Sequence, residues 1–122
     1  MLEKNFQSKL IKELKLRFPG CIVLKNDPEL KPGIPDLLIL YDEHWAALEC
    51  KRENDASHQP LQDYYIMKMN MMSYASFIFP ENKAEVLDEL ERSFTTRRST
   101  RLPVSEQVSL DQLRPKEARG NI

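Results

Sequence analysis

Asp36, Glu49 and Lys51 are the residues of this chain whose types and spacing suit chemistry, and they stand at the ends of two short apolar runs. Gly33-Ile34-Pro35-Asp36-Leu37-Leu38-Ile39-Leu40-Tyr41 leads to a polar break at Asp42-Glu43-His44, and Trp45-Ala46-Ala47-Leu48-Glu49-Cys50-Lys51 follows. Apolar runs flanking a break of two or three polar residues predict a β-hairpin. Period-two alternation puts Glu49 and Lys51 on one face of their strand and Cys50 on the other. With Asp42-Glu43 as a two-residue loop, Tyr41 lies opposite His44, and counting back sets Asp36 opposite Glu49. Opposed residues share a face, with Cβ atoms about 5 Å apart. A three-residue loop without a bulge sets Asp36 opposite Cys50 instead and turns Glu49 away. Two acids held close resist joint ionisation unless a cation sits between them. Hard oxygen donors so placed suit Mg²⁺, which takes one or two carboxylates plus water and phosphate oxygens. The pattern predicts a metal site with a lysine beside it.

Acids at strand ends are usually solvated, and an exposed Glu/Lys pair often contributes nothing measurable. The chemical reading is preferred because a carboxylate heading a wholly apolar strand needs a reason to be there. Pro35-Asp36, a gap of twelve residues and Glu49-Cys50-Lys51 resemble the PD-(D/E)XK nuclease signature. Gly33 to Leu38, Leu48 to Lys51 and the later Gln62 are similar to the VRR-NUC branch and to phage-type endonucleases. The resemblance spans roughly residues 3–93, with its specificity in about a dozen of them. It implies a restriction-endonuclease-like core and a Mg²⁺-dependent endonuclease, with Mn²⁺ as substitute, that hydrolyses DNA phosphodiester bonds. Nicked, flapped and branched DNA all stay open as substrates. An inactive nucleic-acid-binding domain and an RNA-cleaving relative are the alternatives. Under the resemblance, Asp36, Glu49 and the Cys50 backbone carbonyl hold the metal, and Glu3 completes an outer contact. Lys51 then stands beside the attacking water, and Gln62, with Gln59 as competitor, steadies the lysine or that water. Lys25, Lys31 and Arg52 are the candidate phosphate contacts near the site. Small relatives often work as dimers, because one small domain presents one active site and cutting both strands needs two, so the resemblance allows a homodimer.

Periodicity supplies the elements that hold these residues. Leu2, Phe6, Leu10, Leu14 and Phe18 recur every four residues, with Ile11 beside them, and predict an amphipathic helix. Glu3 falls within that stripe, while Lys4, Lys9, Lys12 and Lys15 face the other way. Pro19-Gly20 ends the helix. Cys21–Lys25 predicts a strand, and a polar loop then runs to Gly33, where the backbone has freedom to turn tightly. The next run, apolar at nearly every position, fits a strand covered on both faces. After Lys51, Arg52 to Gln59 form a polar loop, with His58 in it and His44 in the hairpin turn both read as surface residues. A second helix is expected with Ser57 as N-cap, Pro60 in its first turn, and a stripe of Leu61, Tyr64, Tyr65, Met69 and Met72. Tyr74–Phe79 predicts a fourth strand, and Ala84, Leu87, Leu90 and Phe94 mark one face of a last helix. The order αβββαβα predicts an α/β fold in which helices flank a mixed sheet.

The 122 residues, 41% apolar and 30% charged, have the length and composition of one soluble domain. No apolar run approaches the roughly 20 residues of a membrane span, and the charged N-terminus lacks a signal peptide's apolar core. Cys21 and Cys50 both sit in apolar runs, which suggests reduced, buried thiols in a cytoplasmic protein. The net charge of −1 hides an asymmetry: residues 1–93 hold 12 basic and 16 acidic side chains, residues 94–122 hold 6 and 3. The expected organisation is a nuclease domain over 1–94 and a basic tail over 95–122, in which Arg97, Arg98 and Arg101 are candidate phosphate contacts.

Overall fold

The computed structural model describes residues 3–96, so Leu2, Arg97, Arg98, Arg101 and the rest of the tail lie outside the described residues. Its elements follow the expected order: α1 (Glu3–Arg17), β1 (Ile22–Lys25), β2 (Leu37–Tyr41), β3 (His44–Cys50), α2 (Pro60–Met72), β4 (Tyr74–Ile78) and α3 (Lys83–Thr95). The strands form one mixed sheet in the order β1-β2-β3-β4. β1, β2 and β3 pair antiparallel in succession, whereas β3 and β4 run parallel. A parallel pair needs a crossover, and α2 supplies it.

Register sorts the strand residues onto two faces. Leu37 opposite Leu48, Ile39 opposite Ala46 and Cys50 opposite Ile78 line the first face, all buried. Helix α1 lays Phe6, Leu10 and Leu14 on that face, and α3 adds Val86, Leu87, Leu90 and Phe94. Charge laces the two helices together: Arg17 reaches Asp88 and Glu91 at 2.6 and 3.0 Å, and Lys83 reaches Glu13 at 2.7 Å.

On the second face Ala47 lies opposite Ala75, and these small residues let α2 approach. Its buried Tyr64 and Tyr65 cluster with Ile34, Leu61, Met69 and Met71. Helix α2 packs on β3 and β4, leaving the β1–β2 half of this face less covered. Ile22 and Leu24, opposite Leu40 and Leu38, remain 54% and 45% exposed. The expectation that β2 is covered on both faces is therefore corrected: Leu37 and Ile39 are buried, but Leu38 and Leu40 only half so.

Helix starts differ from expectation by small shifts with large effects on facing. Gln59, not Ser57, is the N-cap of α2, and Pro60 takes the first helical position, where its missing N–H costs nothing. Met71 packs inward where Met72 was expected, and Met72 is 55% exposed. In α3, Val86 is buried and Ala84 exposed. No helix among the described residues is long and apolar enough to cross a membrane.

Candidate active site

The hairpin loop fixes the site. Tyr41 pairs with His44 across Asp42-Glu43, so the loop has two residues and an even count. Asp42 takes a positive φ of 54°, a conformation that Asp tolerates better than most residues. Continuing the register past Leu37 and Leu48 sets Asp36 opposite Glu49. Each carboxylate is then gripped by the opposite main chain. The Asp36 N–H donates to Glu49 Oε1 at 3.1 Å, and the Cys50 N–H donates to Asp36 Oδ2 at 2.9 Å. Asn26 holds the entering chain, its backbone N–H on the Asp36 carbonyl at 2.8 Å and its side-chain amide on the Pro35 carbonyl at 2.7 Å.

Lys51 and Gln62 close the cluster. Lys51 is only 7% exposed, and its Nζ donates to Gln62 Oε1 at 2.9 Å and to the Ser57 carbonyl at 3.2 Å. The same ammonium stands 3.8 Å from Glu49 Oε2 and 5.9 Å from the centre of the Phe77 ring. Gln62 Nε2 donates to Glu49 Oε2 at 3.1 Å. Its Oε1 also accepts the Gln59 N–H at 3.1 Å, so the amide is tied to the start of α2. Two donors meeting at one amide oxygen, with a carboxylate oxygen at the nitrogen, fix which way the amide points. Gln62, and not Gln59, touches both the lysine and the acid.

Burial governs the electrostatics. It raises the Glu49 pKa from the ordinary 4.5 to about 8, with the Asp36 charge as the next cause. Burial also raises Asp36, against the pull of the Cys50 N–H and the charges of Lys51 and Lys25. The buried Cys50 thiol is pushed up to about 12, although a hydrogen bond with Gln7 works against that rise. Both cysteines are free. A pair of acids that hold protons this tightly is a pair that a cation would stabilise in the ionised form.

A cleft of about 340 Å³ opens over the cluster, lined by Glu3, Lys51, Arg52, Ala56, Ser57, Gln59 and Gln62. Glu3 is exposed, in contrast to its expected place within the buried stripe, and lines this cleft. Its pKa is raised by burial and then by Asp36. Among the described residues no three His, Cys, Asp or Glu side chains gather into a metal-ligating group. Glu3 stands on the cleft wall, where its charge is felt by both Asp36 and Glu49. The donor set of two carboxylates beside the main chain of Cys50 still fits Mg²⁺, which completes its shell with water and phosphate oxygens.

The cationic candidates separate. Lys25 ends β1 and lowers the Asp36 pKa by its charge, and Arg52 is exposed on the cleft wall, 3.6 Å from Glu53. Lys31 holds its ammonium 5.5 Å from the centre of the Tyr65 ring. Arg97, Arg98 and Arg101 fall outside the described residues. Asn26, Gln7 and Ser57 carry no sequence signal as site residues, since each acts through a contact that only the fold creates. His58 is exposed, as the sequence reading has it, and its ring in addition stacks on Phe77. No family model, curated protein or solved structure matches the chain, so its function is read from the geometry of this cluster.

Proposed function

We propose that the chain is a metal-dependent nuclease with a restriction-endonuclease-like core, hydrolysing phosphodiester bonds in DNA. One observation carries the reading: two opposed, partly buried carboxylates, each held by the other strand's main chain, with a buried lysine bridged to one of them through Gln62. Two acids held together and partly out of water resist joint ionisation, which makes the pair unfavourable as a purely structural device. Its link through Lys51 and Gln62 to a polar cleft, which those two residues line, supports a role in binding a cation and a phosphate. The resemblance of the Pro35-Asp36 and Glu49-Cys50-Lys51 pattern to PD-(D/E)XK nucleases supports the same reading.

Mg²⁺ held by Asp36 and Glu49, with the Cys50 carbonyl as a further donor, would supply Lewis-acid polarisation of the phosphate. Lys51 places a positive charge where negative charge grows on the phosphoryl group, and its own burial strengthens that effect. Gln62 keeps that ammonium from collapsing onto Glu49, because its oxygen accepts a hydrogen bond from the lysine while its nitrogen donates one to the acid. Arg52 on the cleft wall meets a neighbouring phosphate, which positions the strand without reading its sequence. Paired active sites on a homodimer would let both strands of a duplex be cut.

The test is cleavage of nicked, flapped and four-way-junction DNA, and of matched RNA, with Mg²⁺, Mn²⁺ or Ca²⁺. Activity with Mg²⁺ or Mn²⁺ that chelation abolishes is the expected result. Cleavage that persists in EDTA removes the mechanism, and preference for the matched RNA overturns the substrate.

A further inference from the structure

Lys51 depends on a carbonyl from a loop that has few other anchors. Arg52 to Gln59 leave the end of β3 and reach the start of α2, exposed for nearly their whole length. Within that stretch, the Ser57 carbonyl accepts from Lys51 Nζ. The residue after Ser57 is gripped on two sides. The His58 ring stacks on Phe77 with centroids 3.9 Å apart and planes at 19°, and its Nδ1 lies 3.0 Å from Asp63 Oδ1. Since a carboxylate only accepts, that nitrogen is the donor. Phe77 belongs to β4 and lies opposite Glu49 in the parallel register, while Asp63 belongs to the first turn of α2, one residue after Gln62.

We propose that His58 is a positioning residue for Lys51. By clamping the loop between β4 and α2, it sets the Ser57 carbonyl where it orients the ammonium. The proposal deepens the nuclease reading and rests on it for its effect on turnover. Phe77 links both parts of the device, with His58 stacked on its ring and the Lys51 ammonium also within cation–π range. Removing the imidazole releases the peptide that follows Lys51's acceptor and leaves the metal-holding carboxylates untouched. The expected signature is thus a fall in kcat without a change in the metal concentration needed for half-maximal rate.

The experiment uses the full chain and two readouts. The first is nicking turnover for His58→Ala and His58→Phe, alone and combined with Lys51→Met. His58→Ala is expected to lose on the order of tenfold in kcat, as misplacement of one oriented group does. His58→Phe, which keeps the stacking face, recovers part of that loss. In the Lys51→Met background the His58 change costs nothing further. The second readout needs no activity: NMR of ¹⁵N-labelled lysine ammonium groups, with the Lys51 signal assigned through Lys51→Met. A held ammonium gives a slowly exchanging signal that His58→Ala removes and His58→Phe retains. Wild-type turnover in His58→Ala, or an equal loss with and without Lys51, overturns the proposal. If the wild-type chain cleaves nothing, the nuclease reading fails by itself. The ammonium signal then decides the positioning role, and a signal unchanged in His58→Ala overturns it.

Discussion

Lys51 and Glu49 sit in one hydrogen-bonded cluster, yet they have separable tasks. Lys51→Met keeps most of the aliphatic length and deletes the charge, and an ammonium is no metal ligand. We expect turnover to fall on the order of 10²-fold or more, as when one preorganised charge stabiliser is removed, with the metal titration midpoint unchanged. Glu49→Gln should instead weaken metal binding, so that excess Mn²⁺ restores part of its rate. Titrating metal against cleavage rate in both variants checks the split, and a Lys51→Met enzyme that cuts at the wild-type rate would sink it. Much of this cluster was legible beforehand because its geometry is local. Asp36 and Glu49 meet through one two-residue loop, and the alternation of a single strand ties Lys51 to Glu49. Gln62 was legible only as a distance along the chain, and the structure gives it two partners. His58 was not legible, because its ring partner Phe77 reaches the site through a parallel strand pairing that no local period encodes.

At the scale of elements, Gly33 couples the β2 approach to α2. Its φ is +87°, and a Cβ added there would lie 2.5 Å from Leu61 Cγ. Leu61 precedes Gln62, so a push on the one displaces the other. Gly33→Ala should cost about 1–3 kcal/mol from the strained backbone and the clash. Thermal unfolding measures that cost, and cleavage should fall with it. A variant as stable and active as wild type would show that the loop and α2 shift freely. The elements themselves were readable from period and punctuation. Which face each helix buries was read less well at the margins. A helix begun at Lys83 turns Val86 inward and Ala84 outward, and α2 begun at Pro60 ends with Met71 inward and Met72 outward. The half-covered face of β2 was missed for a different reason: an apolar run reports what a strand can bury, not which helix arrives to cover it.

For the whole molecule, the raised acids link stability to pH. Glu49 binds its proton more tightly when folded, with a pKa of about 8 against an ordinary 4.5. Its contribution is fully present below 4.5 and is lost as pH rises through 8. Asp36 and Glu3 are raised as well and act in the same direction. In EDTA, Tm should therefore fall between pH 4.5 and 8, and Mg²⁺ should raise Tm more at pH 8.5 than at pH 5. A Tm that climbs across that window contradicts the burial of the pair. The basic stretch beyond Thr96 belongs to this scale too. Deleting it should leave Tm unchanged, since among the described residues the core is complete with Phe94 on α3. DNA affinity should drop and its salt dependence flatten if Arg97, Arg98 and Arg101 meet phosphates. An unchanged salt slope assigns them to solvent.

The mixed sheet also sets an order of events in time. The antiparallel β2–β3 hairpin closes across two residues, whereas the parallel β3–β4 pair waits for the whole α2 crossover. Short closures form within microseconds, and long-range pairings come later because their loop entropy is lost first. The folding chain thus brings Asp36 and Glu49 together before Gln62 and Phe77 arrive to hold Lys51 against them. At pH 9 the nascent hairpin, not yet buried, carries two ionised acids across its strands with no cation between them. Asp36→Asn keeps a side-chain acceptor for the Cys50 N–H and removes one of those charges. Stopped-flow refolding of that variant at pH 9 should be faster than wild type. If only its unfolding rate changes, the acids meet after the barrier and the crossover leads.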